Sequence, residues 1–446
     1  MKIPHIKSQF IISWESQIIL DIFSGKVLSP SRGVLEVLKL IDGKTDIETI
    51  FHTLSSRYYV NKIDFDHLMV KLNQLGIITF DLSETKALLP IRVVSVEITE
   101  KCNLRCRYCY GAFNPTNQIH LSAQETEILF DALKQRGVMI IELSGGEPTV
   151  NPDFDKILEQ ACQRFNVVTV MTNAVSINAK TFDVLNKYRG KVNFSISIDG
   201  FSENTNTFQR DVRNTFKKTL DNIIKIKSEL DPPILRVVYM LTNENEHEVD
   251  AFFDFMIAHE IKDITVSIPE HIDKGRTYTL PDGCNMSDYC SESRKTLNEK
   301  TWYLSDKYGS QITTYHDRLG KYGLRIASAL PSCGAGWMML SFKANGDVQP
   351  CNMMDPFWTL GNFKKDSSLS FLSDTNLIYS LLRSVNLSAE NRNRDECRDC
   401  EDAIFCGKCL NKIFIANRRR IKNGMGICPI LISNGFSEDI LKSKCS

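Results

Sequence analysis

The chain has 446 residues, with 54 Lys+Arg against 54 Asp+Glu and 14 Cys. That length accommodates roughly two to four domains of ordinary size. Zero formal net charge argues against a nucleic-acid binder held by a broad phosphate-neutralising face. With no run of about eighteen apolar residues, no membrane span is expected.

The start, Met1-Lys2-Ile3-Pro4, lacks the apolar core of a signal peptide. The expected compartment is therefore the reducing cytoplasm, where grouped cysteines bind metal or do chemistry rather than pair as disulfides. In chain order, residues 1–85 read as a unit of their own. Short β-rich runs at Phe10–Ser13, Ile18–Phe23 and Lys26–Leu28 precede three helical patterns. The first starts near Ser31 and stops at Asp42-Gly43. Asp46 caps the second, which carries Ile47, Ile50, Phe51 and Leu54. The third runs from about Ile63 to Leu75 through Phe65, Leu68, Val70 and Leu72, and stops at Gly76. Three strands and three helices make a winged-helix-like module.

Residues 90–268 alternate apolar strand-length runs with helical patterns. The expected strands are Ile91–Ile98, Val138–Leu143, Val167–Met171, Val192–Ile198, Ile234–Leu241 and Ile264–Ile268. Helices are expected near 122–136, 153–163, 178–188, 215–229 and 245–259, the first with a Ser122/Glu125 capping box. Continuous apolar strands alternating with helices indicate a parallel sheet covered by helices. The fold class is α/β: a partial (β/α)6 TIM-like barrel, with ligands at the carboxyl ends of the strands. Residues 269–331 form a bridge with a helix near 287–308, and residues 332–446 are rich in Cys, Gly and Asn. With only short apolar runs, this last segment is expected to have little core and to need metal.

Immediately after the first barrel strand stands Cys102-x3-Cys106-x2-Cys109, with Tyr108 before the last cysteine. Three thiolates on one tight loop suit an iron–sulfur cube with one open iron. A zinc site would want a fourth ligand, and no Cys or His lies close by in sequence. This pattern resembles the radical SAM superfamily, whose motif is C-x3-C-x-aromatic-C after the first barrel strand. Ser144-Gly145-Gly146-Glu147-Pro148, after the second strand, matches the family's GGEP motif. The resemblance implies that Gly145 and Gly146 admit the methionine amino group of S-adenosylmethionine and that Glu147 supports their loop. It also assigns Tyr108, Thr172, Asn173, Ser197, Asp199 and Arg210 to the cofactor site. The family's usual Arg-Gly is Arg210-Asp211 here. Strand-end hydrogen bonding is the alternative role for Thr172 and Ser197. The implied chemistry is a 5′-deoxyadenosyl radical, made by one-electron cleavage of the sulfonium and able to take hydrogen from an unactivated carbon.

The second group comprises Cys333, then Gly346-x4-Cys351, Cys397-x2-Cys400-x5-Cys406-x2-Cys409, and Cys428. Zinc competes here, because two C-x2-C pairs are ribbon-like, although x5 is short for a ribbon. The pattern resembles the SPASM extension, which carries auxiliary 4Fe–4S clusters. By that resemblance Cys397, Cys400, Cys406 and Cys428 hold an outer cluster, and Cys333, Cys351 and Cys409 an inner one. Two closed clusters want eight cysteines and this region has seven, so either Cys284 or Cys290 fills the gap or one iron stays open.

Residues 10–80 resemble the PqqD-like leader-recognition domain through Leu40-Ile41-Asp42-Gly43-Lys44-Thr45, Ile47, Ile50, Leu54, Tyr58 and Leu75-Gly76-Ile77. In that family an extended leader adds a strand to the sheet beside the third helix. The combined resemblance is to radical SAM/SPASM peptide maturases, and within them to thioether-forming sactipeptide-type members. Cys333-Gly-Ala-Gly-Trp337 resembles the corresponding segment of that group. It implies a ribosomally made precursor peptide as partner and an electron donor such as flavodoxin or ferredoxin, with no nucleic acid and no membrane. Carbon–carbon crosslinking or another radical oxidation is the alternative reaction. An iron–sulfur DNA-binding regulator is the alternative class. Sulfatase-maturing relatives carry Asp after the G-x4-C cysteine, where Asn352 stands here.

Overall fold

The structure, a computed structural model, describes residues 2–7, 10–13, 17–21, 27–81, 91–230, 234–269, 292–312, 334–336, 338–354, 356–373, 376, 409–433 and 435–437. The described chain divides into two compact units, the first drawn chiefly from Met1–Pro90 and the second from Ile91 onward.

The first unit contains a three-stranded antiparallel sheet, β2 (Phe10–Ser13), β3 (Ile18–Asp21) and β4 (Val27–Leu28), in that order. A second pair, β1 (His5–Ile6) with β5 (Ile78–Thr79), joins the unit's two ends and was not expected from sequence. Three helices follow β4: α1 (Arg32–Lys39), α2 (Ile47–Ser55) and α3 (Lys62–Gln74). The Asp46 side chain caps α2, accepting from the Glu48 and Thr49 N–H groups. Asp42 closes the preceding turn by accepting from Lys44 and Thr45, with Gly43 at φ +72°. On α3 the buried face is Phe65, Met69 and Leu72, an i, i+4, i+7 row. Val70 and the C-cap Leu75, both expected in the core, face solvent because they lie off that row.

The second unit is built on one nine-stranded sheet. Six strands are parallel and ordered as in the sequence: β6 (Val93–Glu97), β7 (Ile140–Ser144), β8 (Val167–Thr172), β9 (Val192–Ile198), β10 (Ile234–Met240) and β11 (Asp263–Ser267). The intervening helices are α4 (Ala123–Gln135), α5 (Phe154–Arg164), α6 (Ala179–Lys187), α7 (Glu203–Arg210), α8 (Phe216–Glu229) and α9 (Val249–Ala258). The Ser122/Glu125 capping box is present. This is the expected partial barrel, with β6 and β7 buried along their whole length. Helix α7 is an addition, since its polar sequence ENTNTFQR carries no apolar period. Helix α10 (Glu292–Tyr308) covers the described part of the helix expected near 287–308, and residues 287–291 lie outside the described residues.

The Cys-rich segment departs most from expectation. Its first strand, β12 (Met339–Phe342), pairs in parallel with β6 and extends the barrel sheet. β13 (Asp347–Gln349) and β14 (Gly361–Asn362) continue it antiparallel. Two helices lie further on, α11 (Leu410–Lys422) and α12 (Pro429–Ser433). The segment also has a substantial apolar core. Phe342, Met354, Leu360, Ile413 and Leu431 are buried, and Trp358 stacks on Phe414 with ring centroids 3.9 Å apart. Expecting little core was wrong because the apolar residues come in short runs that meet only after folding.

Candidate active site

A cavity of about 460 Å³ opens at the carboxyl ends of the barrel strands. Its wall brings together Cys102, Cys106 and Cys109 with Tyr108, Gly145, Gly146, Thr172, Asn173, Ser197, Asp199 and Arg210. Every barrel residue expected at the site except Glu147 therefore faces one space.

The cysteine loop leaves β6 and is closed by two bridges, Thr99 with His120 and Lys101 with Asn114. The Cys102 N–H donates to the Asn114 carbonyl at 3.1 Å, and the Cys109 N–H to the Cys106 carbonyl at 3.2 Å. The loop is also pinned to the end of α7, where the Arg105 and Arg107 N–H groups donate to the Arg210 and Gln209 carbonyls, each at 3.0 Å. Burial, with help from nearby Glu147, pushes the Cys102 thiol up to about 12. Burial and then Asp199 raise Cys106. Such thiols keep their protons until a metal displaces them. Among the described residues no three His, Cys, Asp or Glu side chains converge on a single-ion site. Zinc would draw its thiolates together around one ion, whereas a cluster leaves each cysteine its own iron. Three thiols around one cavity suit a cluster, in which each cysteine holds its own iron.

The glycine pair works through close approach. Gly145 sits at φ +134°, and a Cβ there would meet the Thr99 carbonyl oxygen at 2.2 Å. A Cβ on Gly146 would meet the Lys101 carbonyl oxygen at 2.3 Å. The Gly146 and Glu147 N–H groups donate to those same two carbonyls, each at 2.9 Å. The β7 end is therefore hydrogen-bonded to the segment that enters the cysteine loop.

Glu147 stands behind this wall, fully buried. Its carboxylate accepts from Thr149, from the Thr172 hydroxyl at 2.6 Å and from the Asn173 N–H at 2.7 Å. Burial still leaves its carboxyl above the usual range. The Thr172 hydroxyl also accepts from the Ala174 N–H, so it is occupied at the strand end. Asn173 donates to Asn103 in the cysteine loop at 2.7 Å.

Asp199 and Arg210 form the charged corner. The Arg210 Nε donates to Asp199 Oδ2 at 2.7 Å, and its Nη2 reaches the Ser197 carbonyl. Both side chains are 1% exposed. Asp199 Oδ1 and Arg210 Nη1 are buried without a partner. Two orphaned charged atoms beside a cavity are what a ligand with hydroxyls and a carboxylate would satisfy. The nucleoside and carboxylate of S-adenosylmethionine fit that donor set. After Arg210, Asp211 adopts φ +54° and caps α7 in the left-handed conformation. Asp thus takes the turn that the family gives to Gly.

The Cys-rich segment contributes to the lining as well: Asn352 and Met353, which follow Cys351, line the same cavity. The Asn411 amide of α11 donates to the Met353 carbonyl at 3.0 Å, which ties the Cys409 end of that helix to the Cys351 loop. Cys428 sits just before α12, with its N–H on Asn417 Oδ1 at 2.8 Å. Cys333, Cys397, Cys400 and Cys406 lie outside the described residues, as do Cys284, Cys290 and Trp337. Tyr110, Asn352 and Met353 are wall residues that sequence reasoning did not select. Adjacency to Cys109 and Cys351 was the available signal.

Comparison with known proteins agrees with this picture. Residues 96–256 match the Radical SAM superfamily, and residues 333–401 match SPASM, an iron–sulfur cluster-binding domain. The antilisterial bacteriocin subtilosin biosynthesis protein AlbA of Bacillus subtilis (strain 168) is 25% identical over 73% of this chain and 69% of its own length. The sporulation killing factor maturation protein SkfB of the same organism is 26% identical over 64% of this chain and 65% of its own length, so the chain spans less than two thirds of it. The crystal structure of Streptococcus suis SuiB bound to precursor peptide SuiA superposes with a TM-score of 0.54 at 16% identity, covering 96% of this chain and 99% of that one. That likeness bears on the fold.

Proposed function

We propose that this chain, which belongs to the radical SAM superfamily and carries a SPASM domain, matures a ribosomally made peptide by joining a cysteine sulfur to a carbon as a thioether. The observation that carries the reading is the shared cavity. It is lined by the Cys102–Cys109 loop, by the Asp199–Arg210 corner and by Asn352 and Met353 of the Cys351 loop. Cys102, Cys106 and Cys109 would hold the 4Fe–4S cluster that binds S-adenosylmethionine. Gly145, Gly146, Asn173, Ser197, Asp199 and Arg210 would hold the cofactor itself. Thr172 and Glu147 would act by shaping that wall. Cys351, Cys409 and Cys428, with Cys333, Cys397, Cys400 and Cys406, would hold auxiliary clusters.

Bound S-adenosylmethionine supplies a 5′-deoxyadenosyl radical that takes one hydrogen atom from a peptide carbon. This chain's part is to orient the cofactor through Asp199 and Arg210 and to exclude water with a mostly apolar wall. Each link would remove two hydrogens from the peptide, one as an atom and one as the thiol proton, and the one remaining electron would need an acceptor, which an auxiliary cluster held by residues such as Cys351 and Cys409 would supply. Residues 10–80 would bind the leader, which adds a strand to the β2–β3–β4 sheet. The names of the two Bacillus relatives, in bacteriocin biosynthesis and killing-factor maturation, support a peptide substrate. Among the described residues no helix is long and apolar enough to cross a membrane. We take the enzyme to work in the cytoplasm with a flavodoxin or ferredoxin as donor. A DNA-binding regulator would have no use for the cavity.

Co-expression with the short cysteine-containing peptide encoded nearest the gene tests this. Each link should lower the peptide mass by two hydrogens and make one cysteine resist alkylation. The same mass loss with every cysteine still alkylated would instead establish carbon–carbon crosslinking.

A further inference from the structure

We propose that the buried Glu97–Lys343 pair is a positioning device that locks the two cysteine loops together across the cavity wall. β12 pairs with β6 so that Phe342 stands opposite Val96, which sets Lys343 opposite Glu97 one step further on. Alternation puts Glu97 on the same face as Ser95, and Lys343 on the same face as Ser341. The Lys343 Nζ donates to Glu97 Oε1 at 2.5 Å. Glu97 is 3% exposed and Lys343 9%.

Each partner holds one further group. Glu97 Oε1 also accepts from the Tyr110 hydroxyl at 3.0 Å, and Lys343 Nζ also donates to the Asn352 carbonyl at 3.2 Å. Tyr110 follows Cys109 and Asn352 follows Cys351, and both line the main cavity. The Tyr110 ring packs further against Ile415 and Ala416 of α11 beside Met353. A continuous chain, Tyr110 to Glu97 to Lys343 to Asn352, thus runs from one cysteine loop to the other.

A buried ion pair is a poor source of stability, because desolvation cancels most of the attraction. Two apolar side chains would close the β6–β12 junction as well. Its attested use is to specify a single register, and here the register it specifies is that of the two loops. The inference rests on the reading of Cys109 and Cys351 as ligands of separate clusters.

The test uses anaerobically reconstituted holoenzyme, assayed for iron content and, after reduction, for magnetic coupling between the two centres by EPR. That coupling depends on their separation and orientation. Lys343→Met and Glu97→Gln should keep full iron but change the coupling pattern. Lys343→Arg, which keeps a cation opposite Glu97, should preserve it. Tyr110→Phe removes one link without stranding a charge, and should shift the pattern in the same sense even where Lys343→Met folds poorly. An unchanged pattern in fully loaded Lys343→Met and Tyr110→Phe would overturn the proposal. Iron for one cluster only in the wild type would instead overturn the assignment of Cys351, and the proposal with it.

Discussion

Arg210 donates from Nε to Asp199 Oδ2 at 2.7 Å while its own main-chain carbonyl receives the Arg105 N–H at 3.0 Å. One residue therefore serves the charged corner through its side chain and the cysteine loop through its backbone. Arg210→Met strands Asp199, a change that costs roughly 3–5 kcal/mol when a buried pair loses one member. The urea midpoint should fall and S-adenosylmethionine binding, followed by equilibrium dialysis, should be lost. Adding Asp199→Asn should recover much of the midpoint but none of the binding. Binding in the double variant would make the pair purely structural.

Gly145 gives a second prediction. Alanine there has to clear the Thr99 carbonyl oxygen, 2.2 Å from the built Cβ, on backbone that only glycine adopts readily. Gly145→Ala should displace the entry to Cys102. The reconstituted protein should then lack the iron of one cluster, about four atoms by the cube's composition. As a contrast, Gly33→Ala in α1 meets only Ser31 Oγ at 4.0 Å. It should leave the iron content unchanged and be neutral to slightly stabilising, since Gly33 is the second residue of α1 and not in its middle.

Asp211 stands at φ +54°, a left-handed conformation that favours Gly. Asp tolerates this conformation better than most side chains, through its short polar group. Asp211→Gly should leave the denaturation midpoint at or above wild type. Asp211→Ala should lower stability by about 1 kcal/mol, the cost of left-handed backbone for an ordinary residue. Equal midpoints for the two variants would contradict this account of the turn.

Asp250 supplies a pH prediction. Partial burial works against its charge, but hydrogen bonds from Lys300, Lys307 and Tyr303 outweigh that and hold its carboxyl below the usual range. A lowered folded-state value means the stabilisation is complete above the ordinary carboxylate range, near 3.9, and fades as pH falls through the lower folded value. These groups are partly exposed, so screening limits the gain to about 1 kcal/mol. Asp250→Asn should thus lower the midpoint by the same amount from pH 8 to pH 5, with the gap closing only in stronger acid. A gap that closed at pH 6 would refute the assignment.

The barrel was legible because each strand is a continuous apolar run and each expected helix carries an apolar stripe. The site was legible where motifs sit at strand ends: Cys102 to Cys109 after β6, Gly145 to Glu147 after β7, Ser197 and Asp199 at the end of β9. Helix α7 was hidden, since Phe208 is its only large apolar residue and is 39% exposed. The Glu97–Lys343 contact left no local trace, because its partners are 246 residues apart. For the same reason the core around Trp358, Phe414 and Phe436 could not be read from runs. Short segments that are individually ambiguous acquire meaning only from partners far along the chain.

The parallel pairing of β12 with β6 has a consequence for biosynthesis. During translation β6 leaves the ribosome early, gains β7 on one side, and keeps its other edge bare until Met339–Phe342 have been made. An unpaired apolar edge invites other chains, and closing so long a loop is slow. The β6 edge is thus covered only after about three quarters of the chain has been made, and a chain cut short before residue 339 would carry an open edge at the strand that leads into Cys102. Truncations meant to isolate the barrel should collect in the insoluble fraction.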